Sequence, residues 1–71
     1  MSDNVYSVSE IVGSSAESVD DAIRKAIRST ASTKRNVEWF TTSEIRGHVV
    51  EGEVGHFQVT LKVGFRLDDA Q

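Results

Sequence analysis

The clearest hydrophobic pattern in the chain lies in Val54–Leu67, where apolar and polar side chains alternate strictly from residue 56 onward. The odd-numbered positions are apolar, namely Phe57, Val59, Leu61, Val63, Phe65 and Leu67. The even-numbered positions are His56, Gln58, Thr60, Lys62, Gly64 and Arg66. Because successive side chains of a strand point to opposite faces, this pattern predicts a strand with one apolar face.

A second strand is predicted directly before it, over Val37–Val50. This stretch is long compared with a typical strand of about 5 to 6 residues, which favours a bent or wrapping sheet. The residues Glu51-Gly52-Glu53 predict a tight turn, so the two long strands should form a hairpin.

The β-branched and aromatic residues of Val5–Val12 predict a further strand near the N-terminus. Its alternation is imperfect, with Tyr6, Val8 and Val12 on one parity and Val5 and Ile11 on the other. Either a bulge or the burial of both faces by a neighbouring subunit would explain this pattern.

A helix is predicted after a break in the first strand at Gly13-Ser14-Ser15. Ser14 and Glu17 have the S-x-x-E spacing of a capping box, which predicts the start of the helix. Ser32, Thr33 and Asn36 are poor helix formers, so the helix should end near Thr33. The expected apolar stripe consists of Ala16, Val19, Ile23, Ala26, Ile27 and Thr30. Acidic residues lie early and basic residues late in this segment, which complements the helix dipole.

These elements predict an α+β fold of order β-α-β-β, a three-stranded antiparallel sheet curved around a single helix. Residues 1–71 should form one domain, with flexible tails at 1–4 and 68–71. One helix covers only one face of the sheet. The other face, with Gln58, Thr60, Lys62 and Arg66, is either a solvated surface or a surface that binds other subunits and ligands.

The length of 71 residues limits how much surface the chain can bury alone. A domain of this size buries only about 60 % of the surface that its unfolded chain exposes, and small domains recover stability from disulfides, metals or oligomers. The chain has no cysteine, and His48 and His56 have no further ligand at metal-binding spacing, so a structural zinc site is not expected. Oligomerisation is therefore the favoured route to a complete core.

Charge and hydropathy narrow the choice of partners and location. The net charge of −3 argues against a nucleic-acid partner, because such proteins usually carry a basic patch. No apolar run approaches the ~20 residues of a membrane span, and no apolar signal segment follows Met1. We therefore expect a soluble cytoplasmic protein without a membrane partner.

No catalytic motif is found at a recognisable spacing, so the sequence does not favour an enzyme. Trp39, Arg46 and Gln58 favour binding instead, because they supply an aromatic surface, a cation and an amide that can pair with a heterocycle edge. A lone tryptophan in a small domain is most often a core residue, and this interpretation competes with the binding one.

The chain resembles the dodecins, small flavoproteins that assemble as hollow dodecamers from β-α-β-β subunits. The resemblance covers nearly the whole length. It rests on Glu-Ile-Val-Gly-Ser-Ser at 10–15, Trp39-Phe40, Ile45-Arg46-Gly47, Phe57-Gln58-Val59 and Val63-Gly64-Phe65-Arg66-Leu67.

The resemblance implies a pair of flavins stacked between tryptophans of two symmetry-related subunits, with Trp39 as the stacking residue. It also implies that Gln58 binds the pyrimidine edge of the flavin, that Arg46 lies beside the ring, and that Arg35 and Arg66 lie near phosphate groups. The expected cofactor is FMN, with riboflavin or FAD as other flavins and coenzyme A as an additional ligand.

The function expected from this resemblance is flavin storage and photoprotection in a homododecamer, without catalysis. The alternative is a flavin-dependent oxidoreductase that uses the same site. A third reading is a structural oligomer with a surface tryptophan and no flavin.

Overall fold

The sheet is built around the strand with the strict alternation. A computed structural model describes residues 3–68 and contains β1 (Tyr6–Ser15), α1 (Val19–Ala31), β2 (Val37–Val50) and β3 (Glu53–Arg66). β3 is the central strand and pairs antiparallel with β1 on one side and β2 on the other. The predicted α+β fold and its β-α-β-β order are confirmed.

The core lies between α1 and one face of this sheet. Val59, Leu61 and Val63 of β3 have no exposed surface, and Ala22 and Ala26 of α1 pack against them. The predicted apolar face of β3 is therefore buried at its centre. Phe57 and Phe65, nearer its ends, are half-buried, and Leu67 lies beyond the strand and is exposed.

The predicted capping box at Ser14 and Glu17 is wrong. β1 does not break at residue 13 but continues through Ser15, since the backbone of these residues pairs with β3 as far as Phe57. The helix begins one turn later, where the Oγ of Ser18 accepts a hydrogen bond of 2.9 Å from the backbone N–H of Asp21.

Ser15 stabilises the connection between β1 and the helix. Its buried Oγ accepts hydrogen bonds from the backbone N–H groups of Glu17 at 2.9 Å and Ser18 at 3.3 Å, and donates one of 2.6 Å to the Asp21 carboxylate. The bond from Ser15, with help from Lys25, lowers the pKa of Asp21 below its ordinary value of 3.8.

The helix ends at Ala31, two residues before the predicted end, with Ser32 as its C-cap. Its buried residues are Ala22, Ala26 and Thr30, with Val19, Ile23 and Ile27 half-buried. The predicted stripe was thus correct except at two alanines. Ala16 lies outside the helix, and Ala22, which the prediction omitted, is fully buried.

Gly13 explains why Ala22 is central to this packing. A Cβ atom at Gly13 would lie 2.3 Å from the carbonyl oxygen of Ala22 and 2.9 Å from the Cβ of Ala26. The helix backbone therefore rests directly on β1, at a distance that only a glycine permits.

The hairpin between β2 and β3 has a two-residue turn at Glu51 and Gly52, with φ values of 52° and 78°. Two positive φ values match the turn type whose twist suits a hairpin. The ladder of β2 and β3 has three register shifts, next to Glu38, Ser43 and Gly55. Such bulges bend a strand and increase its twist.

β1 pairs with β3 residue by residue from Tyr6 to Ser15, so a bulge does not explain its imperfect pattern. Val8 and Val12 lie on the sheet face away from the helix and are 51 % and 59 % exposed. Burial of this face by a neighbouring subunit stays a prediction.

The molecule is elongated, with extents of 56 × 20 × 15 Å. β1 pairs with β3 only from Phe57 onward, so the tip of the hairpin projects past the rest of the sheet. Val49, Val50 and Val54 are exposed on this tip. Within residues 3–68, no helix is long and apolar enough to cross a membrane.

The predicted tails fall largely outside the part that can be described, which excludes residues 1, 2 and 69–71. Asp68, the last described residue of the C-terminal tail, has two side-chain contacts. The Asp68 carboxylate accepts a hydrogen bond from the Asn36 side chain at 2.8 Å and pairs with Arg35 at 3.1 Å.

Candidate functional site

The sheet face opposite α1 carries most of the candidate residues, and we call it the open face. Strand register places on this face Tyr6, Val8, Glu10 and Val12 of β1, Gln58, Thr60, Lys62, Gly64 and Arg66 of β3, and Trp39, Thr41, Glu44, Arg46 and His48 of β2. Four of the five predicted site residues are among them. The fifth, Arg35, lies between α1 and β2.

Trp39 is not a core residue. It lies opposite Gly64 on the open face and remains 40 % exposed. A Cβ atom at Gly64 would lie 2.1 Å from Cε2 and 2.2 Å from Cζ2 of the indole, so the ring is pressed against the backbone of β3. The absence of a side chain at position 64 therefore creates the space in which the ring lies.

A bulge in β2 sets the position of the indole. Val37 pairs with Phe65 and Trp39 pairs with Gly64, so Glu38 is an extra residue on β2. A bulge of this kind re-aims the side chains next to it. In a strand without a bulge, Trp39 would lie two residues from Val37 and share its helix-covered face. The extra residue Glu38 places Trp39 on the open face instead.

Glu38 and Tyr6 form the surroundings of Trp39, and sequence reasoning missed both. The Tyr6 hydroxyl donates a hydrogen bond of 2.9 Å to one oxygen of the Glu38 carboxylate, and Arg66 Nη1 donates one of 3.0 Å to the other. The Tyr6 ring meets Trp39 edge to face, with centroids 6.2 Å apart. No local motif reveals these contacts, because they join residues about 30 positions apart.

Arg46 and Gln58 lie opposite each other farther along the open face. Arg46 Nε donates a hydrogen bond of 3.1 Å to Gln58 Oε1. The Gln58 amide also carries two N–H donors, and the guanidinium carries further donors besides Nε–H. The pair therefore presents several donors beside one shared oxygen, which suits the polar edge of a heterocycle.

A single chain does not bring Trp39 together with this pair. Trp39 lies opposite Gly64, and Arg46 lies opposite Gln58, six positions along β3. At a rise of about 3.3 Å per residue, the two groups are about 20 Å apart. A compact ligand that contacts all three residues would need them from more than one copy of the chain.

Arg35 and Arg66 both have carboxylate partners. Arg35 pairs with Asp68 at 3.1 Å, and Arg66 pairs with Glu38 at 3.0 Å. Arg35 is the more exposed, with 83 % of its side chain accessible. These ion pairs offset the positive charge near Trp39, so a count of basic residues overstates the local attraction for phosphate.

The described residues 3–68 contain no group of three or more His, Cys, Asp or Glu side chains placed to hold a metal ion. The candidate side chains for binding an organic ligand are the aromatic, amide and guanidinium groups of the open face.

A family model described as Dodecin matches residues 5–68. The chain belongs to the dodecin family. The resemblance noted in the sequence is thereby confirmed, and the match includes every candidate site residue.

Individual dodecins are similar over nearly the full chain. The dodecin of Thermus thermophilus is 43 % identical over 65 residues, which cover 92 % of this chain and 94 % of that protein. The solved dodecin of Streptomyces davaonensis is 48 % identical and has a TM-score of 0.90; the match covers 96 % of this chain and 100 % of that chain. The solved dodecin of Streptomyces coelicolor is 43 % identical and has a TM-score of 0.91; the match covers 99 % of this chain and 100 % of that chain.

Proposed function

We propose that the protein binds FMN and stores it in a protected, unreactive form within a homododecamer. The observation that carries this proposal is the placement of Trp39, which lies flat on Gly64 with 40 % of its surface exposed on the open face. A buried tryptophan would serve packing alone. The Trp39 indole lies against Gly64 on one face and meets the Tyr6 ring edge to face. Its exposed part offers a flat surface to another aromatic ring.

Membership of the dodecin family supports a site whose second half comes from another subunit. Two Trp39 indoles from symmetry-related subunits would enclose a pair of stacked flavins. The separation of about 20 Å between Trp39 and the Arg46–Gln58 pair in one chain supports this arrangement, since a ligand in contact with all of them requires neighbouring subunits. In this proposal Gln58 and Arg46 bind the polar edge of the ring.

Photoprotection follows from the electron-rich character of the indole. A flavin supplies a ring system that absorbs visible light and reacts from its excited state. The Trp39 indole, in contact with such a ring, would act as an electron donor that quenches the excited state before other chemistry begins. Trp39 would thereby return the ligand to its ground state, and the bound form would be dark.

The choice among flavins rests on charge. Arg35 and Arg66 are the proposed phosphate-binding residues, which favours FMN over riboflavin. Their partners Asp68 and Glu38 weaken this preference, because each arginine would have to share its guanidinium or exchange its partner. We therefore expect FMN to bind more tightly than riboflavin by a small factor. FAD and coenzyme A, as an additional ligand, complete the proposed set.

Assembly of twelve copies would cover surface that one chain leaves exposed. Exposed apolar residues lie on the open face at Val8 and Val12 and on the hairpin tip at Val49, Val50 and Val54. Contacts between copies would bury these side chains and stabilise a small core. Sedimentation at the monomer mass would contradict this part of the proposal.

The test is a titration of FMN with flavin-free protein, followed by flavin fluorescence. Wild-type protein should quench the fluorescence strongly. Trp39→Ala should lose most of the quenching and about 5- to 150-fold in affinity, since stacking of one aromatic ring contributes about 1–3 kcal/mol. Thr41→Ala is the matched control, because Thr41 is exposed on the same face two residues away. Unchanged fluorescence with wild-type protein would refute flavin binding.

A flavin-dependent oxidoreductase is separated from a storage protein by turnover. An enzyme must leave the reactive ring atoms open to a substrate, whereas two indoles would cover the ring faces. Sustained oxidation of NADH by protein loaded with FMN, at a rate above that of free FMN, would overturn the storage role while leaving flavin binding intact.

A further inference from the structure

A pair of histidines lies on the open face next to the Arg46–Gln58 pair. His48 of β2 and His56 of β3 lie directly opposite each other, and their ring centroids are 4.4 Å apart with an interplanar angle of 35°. His48 is exposed and His56 is half-buried. The proposed flavin site does not use either side chain.

The bulge at Gly55 creates this pair. The turn at Glu51 and Gly52 pairs Val49 with Val54, and an unbroken ladder would then pair His48 with Gly55. The register shift makes Gly55 the extra residue and moves His56 opposite His48. The same shift moves Gln58 opposite Arg46, so one bulge aligns both pairs.

The spacing of the rings suits a shared metal ion. An imidazole nitrogen binds a first-row metal at about 2.0–2.1 Å, which puts the ring centroid about 3.2 Å from the ion. Two imidazoles at 90° around one ion would then have centroids about 4.5 Å apart, and at the tetrahedral angle about 5.2 Å apart. The observed 4.4 Å matches the right-angled arrangement.

We propose that His48 and His56 form a two-histidine site for Cu²⁺ or Ni²⁺. Right-angled coordination by nitrogen is typical of the square-planar and tetragonal geometries of these ions, and imidazole suits both. The described residues hold no third ligand near the pair, so water would complete the coordination. Such an exposed site with two protein ligands differs from a structural zinc site, which normally has four.

The surrounding charges act in opposite directions. Arg46 lies two positions along β2, about 7 Å away, and its charge disfavours a cation. Glu51 and Glu53 lie in and beside the hairpin turn and favour one. At exposed positions both effects are weakened by water and salt. The two imidazoles therefore decide the affinity.

The test is titration of the flavin-free full-length protein with Cu²⁺, followed by calorimetry and by electron paramagnetic resonance. Wild-type protein should bind one Cu²⁺ per chain, with two nitrogen ligands in the spectrum. His48→Gln and His56→Gln should each lower the affinity at least tenfold, and to a similar degree, because either change removes the chelate. Lys62→Gln introduces the same side chain on the same face but outside the histidine pair, and it should bind Cu²⁺ as wild type does.

Folding is checked independently by the unfolding temperature without metal. Cu²⁺ should raise this temperature for the wild type and much less for the two histidine variants, since a ligand that binds only the folded arrangement stabilises it. The proposal is overturned if either histidine can be replaced without loss of affinity, or if the spectrum shows fewer than two nitrogen ligands. The outcome is independent of the flavin proposal, because no flavin is present.

Discussion

The two faces of β3 carry different kinds of residue although they share one backbone. On the helix-covered face, Val59, Leu61 and Val63 are fully buried and make the core. On the open face, the intervening Gln58, Thr60 and Lys62 remain accessible. The comparison shows that one face stabilises the subunit while the other is available for recognition.

The open face is more apolar than a sheet face that is exposed only to solvent usually is. Tyr6, Val8, Val12 and Trp39 are all exposed on it, whereas antiparallel sheets with a solvated face usually alternate cleanly between apolar and polar residues. Exposed apolar clusters of this kind mark places where another molecule or another copy binds. Substitutions on the two faces should therefore separate stability from binding.

The largest effect is expected from Leu61→Ala on the covered face. Removing a fully buried leucine side chain leaves a cavity and should lower the free energy of unfolding by about 2–5 kcal/mol. Denaturant unfolding at a fixed protein concentration measures the loss. Lys62→Ala, one residue away on the open face, should change stability little; an equal loss in both variants would show that the faces do not differ in this way.

Gly13→Ala tests the close contact between β1 and α1. The new Cβ would meet the backbone of Ala22 at 2.3 Å, which forces the helix away from the sheet. Such overpacking should cost about 1–3 kcal/mol of stability. Ser14→Ala, on the opposite face of β1, provides the comparison and should be near neutral. A stable Gly13→Ala protein would mean that the helix can shift without penalty.

Gly64→Ala tests the open face without changing any residue proposed to touch the flavin. The added methyl group would overlap the Trp39 ring, so the indole must leave its position against β3. We expect FMN affinity to fall by about tenfold, within the range of one aromatic stacking contact of about 1–3 kcal/mol. Emission from Trp39, the only tryptophan, reports the movement independently of the ligand. Unchanged emission together with unchanged affinity would contradict the described role of Gly64.

The smallest expected effect concerns pH and the connection before the helix. Hydrogen bonding from Ser15 lowers the pKa of Asp21 in the folded protein. A lowered folded pKa means that the ionised group contributes stability above its unfolded value of 3.8 and loses this contribution as the pH falls through the folded value.

Asp21→Asn should therefore reduce stability at neutral pH and match the wild type at strongly acidic pH. Urea unfolding across this range measures the difference. Asp20→Asn is the matched control in the same helical turn, because its carboxylate contacts only the exposed Arg24 among the ion pairs of the described residues. A pH-independent difference for Asp21→Asn would contradict the assigned cause.

Sequence patterns predicted regular elements well and irregular ones poorly. The alternation in β3 and the hairpin were predicted because each depends on local periodicity and turn chemistry. The helix start was misplaced because Ser14 and Ser18 both have a suitable acidic partner three residues on. Pairing of β1 with β3 as far as Ser15, which no local pattern encodes, selects Ser18.

The candidate site shows the same division. Trp39, Arg46 and Gln58 were recognisable as residue types at characteristic spacings. The contacts of Glu38 with Tyr6 and Arg66 were not, because they depend on strand order and on a bulge that adds one residue to β2. The five site residues and their flavin-binding roles stay predictions until a ligand is measured.

The sequence by itself determined the β-α-β-β order, the buried face of β3 and membership of the dodecin family, since periodicity and residue spacing are properties of the linear chain. Tertiary structure alone decided which residues share the open face and how far apart they lie. Each bulge moves every following residue by one position in the ladder, and a shift of one position exchanges the two faces of a strand. Trp39 therefore lies exposed against Gly64, and His48 lies opposite His56, only because of where the folded sheet places its extra residues.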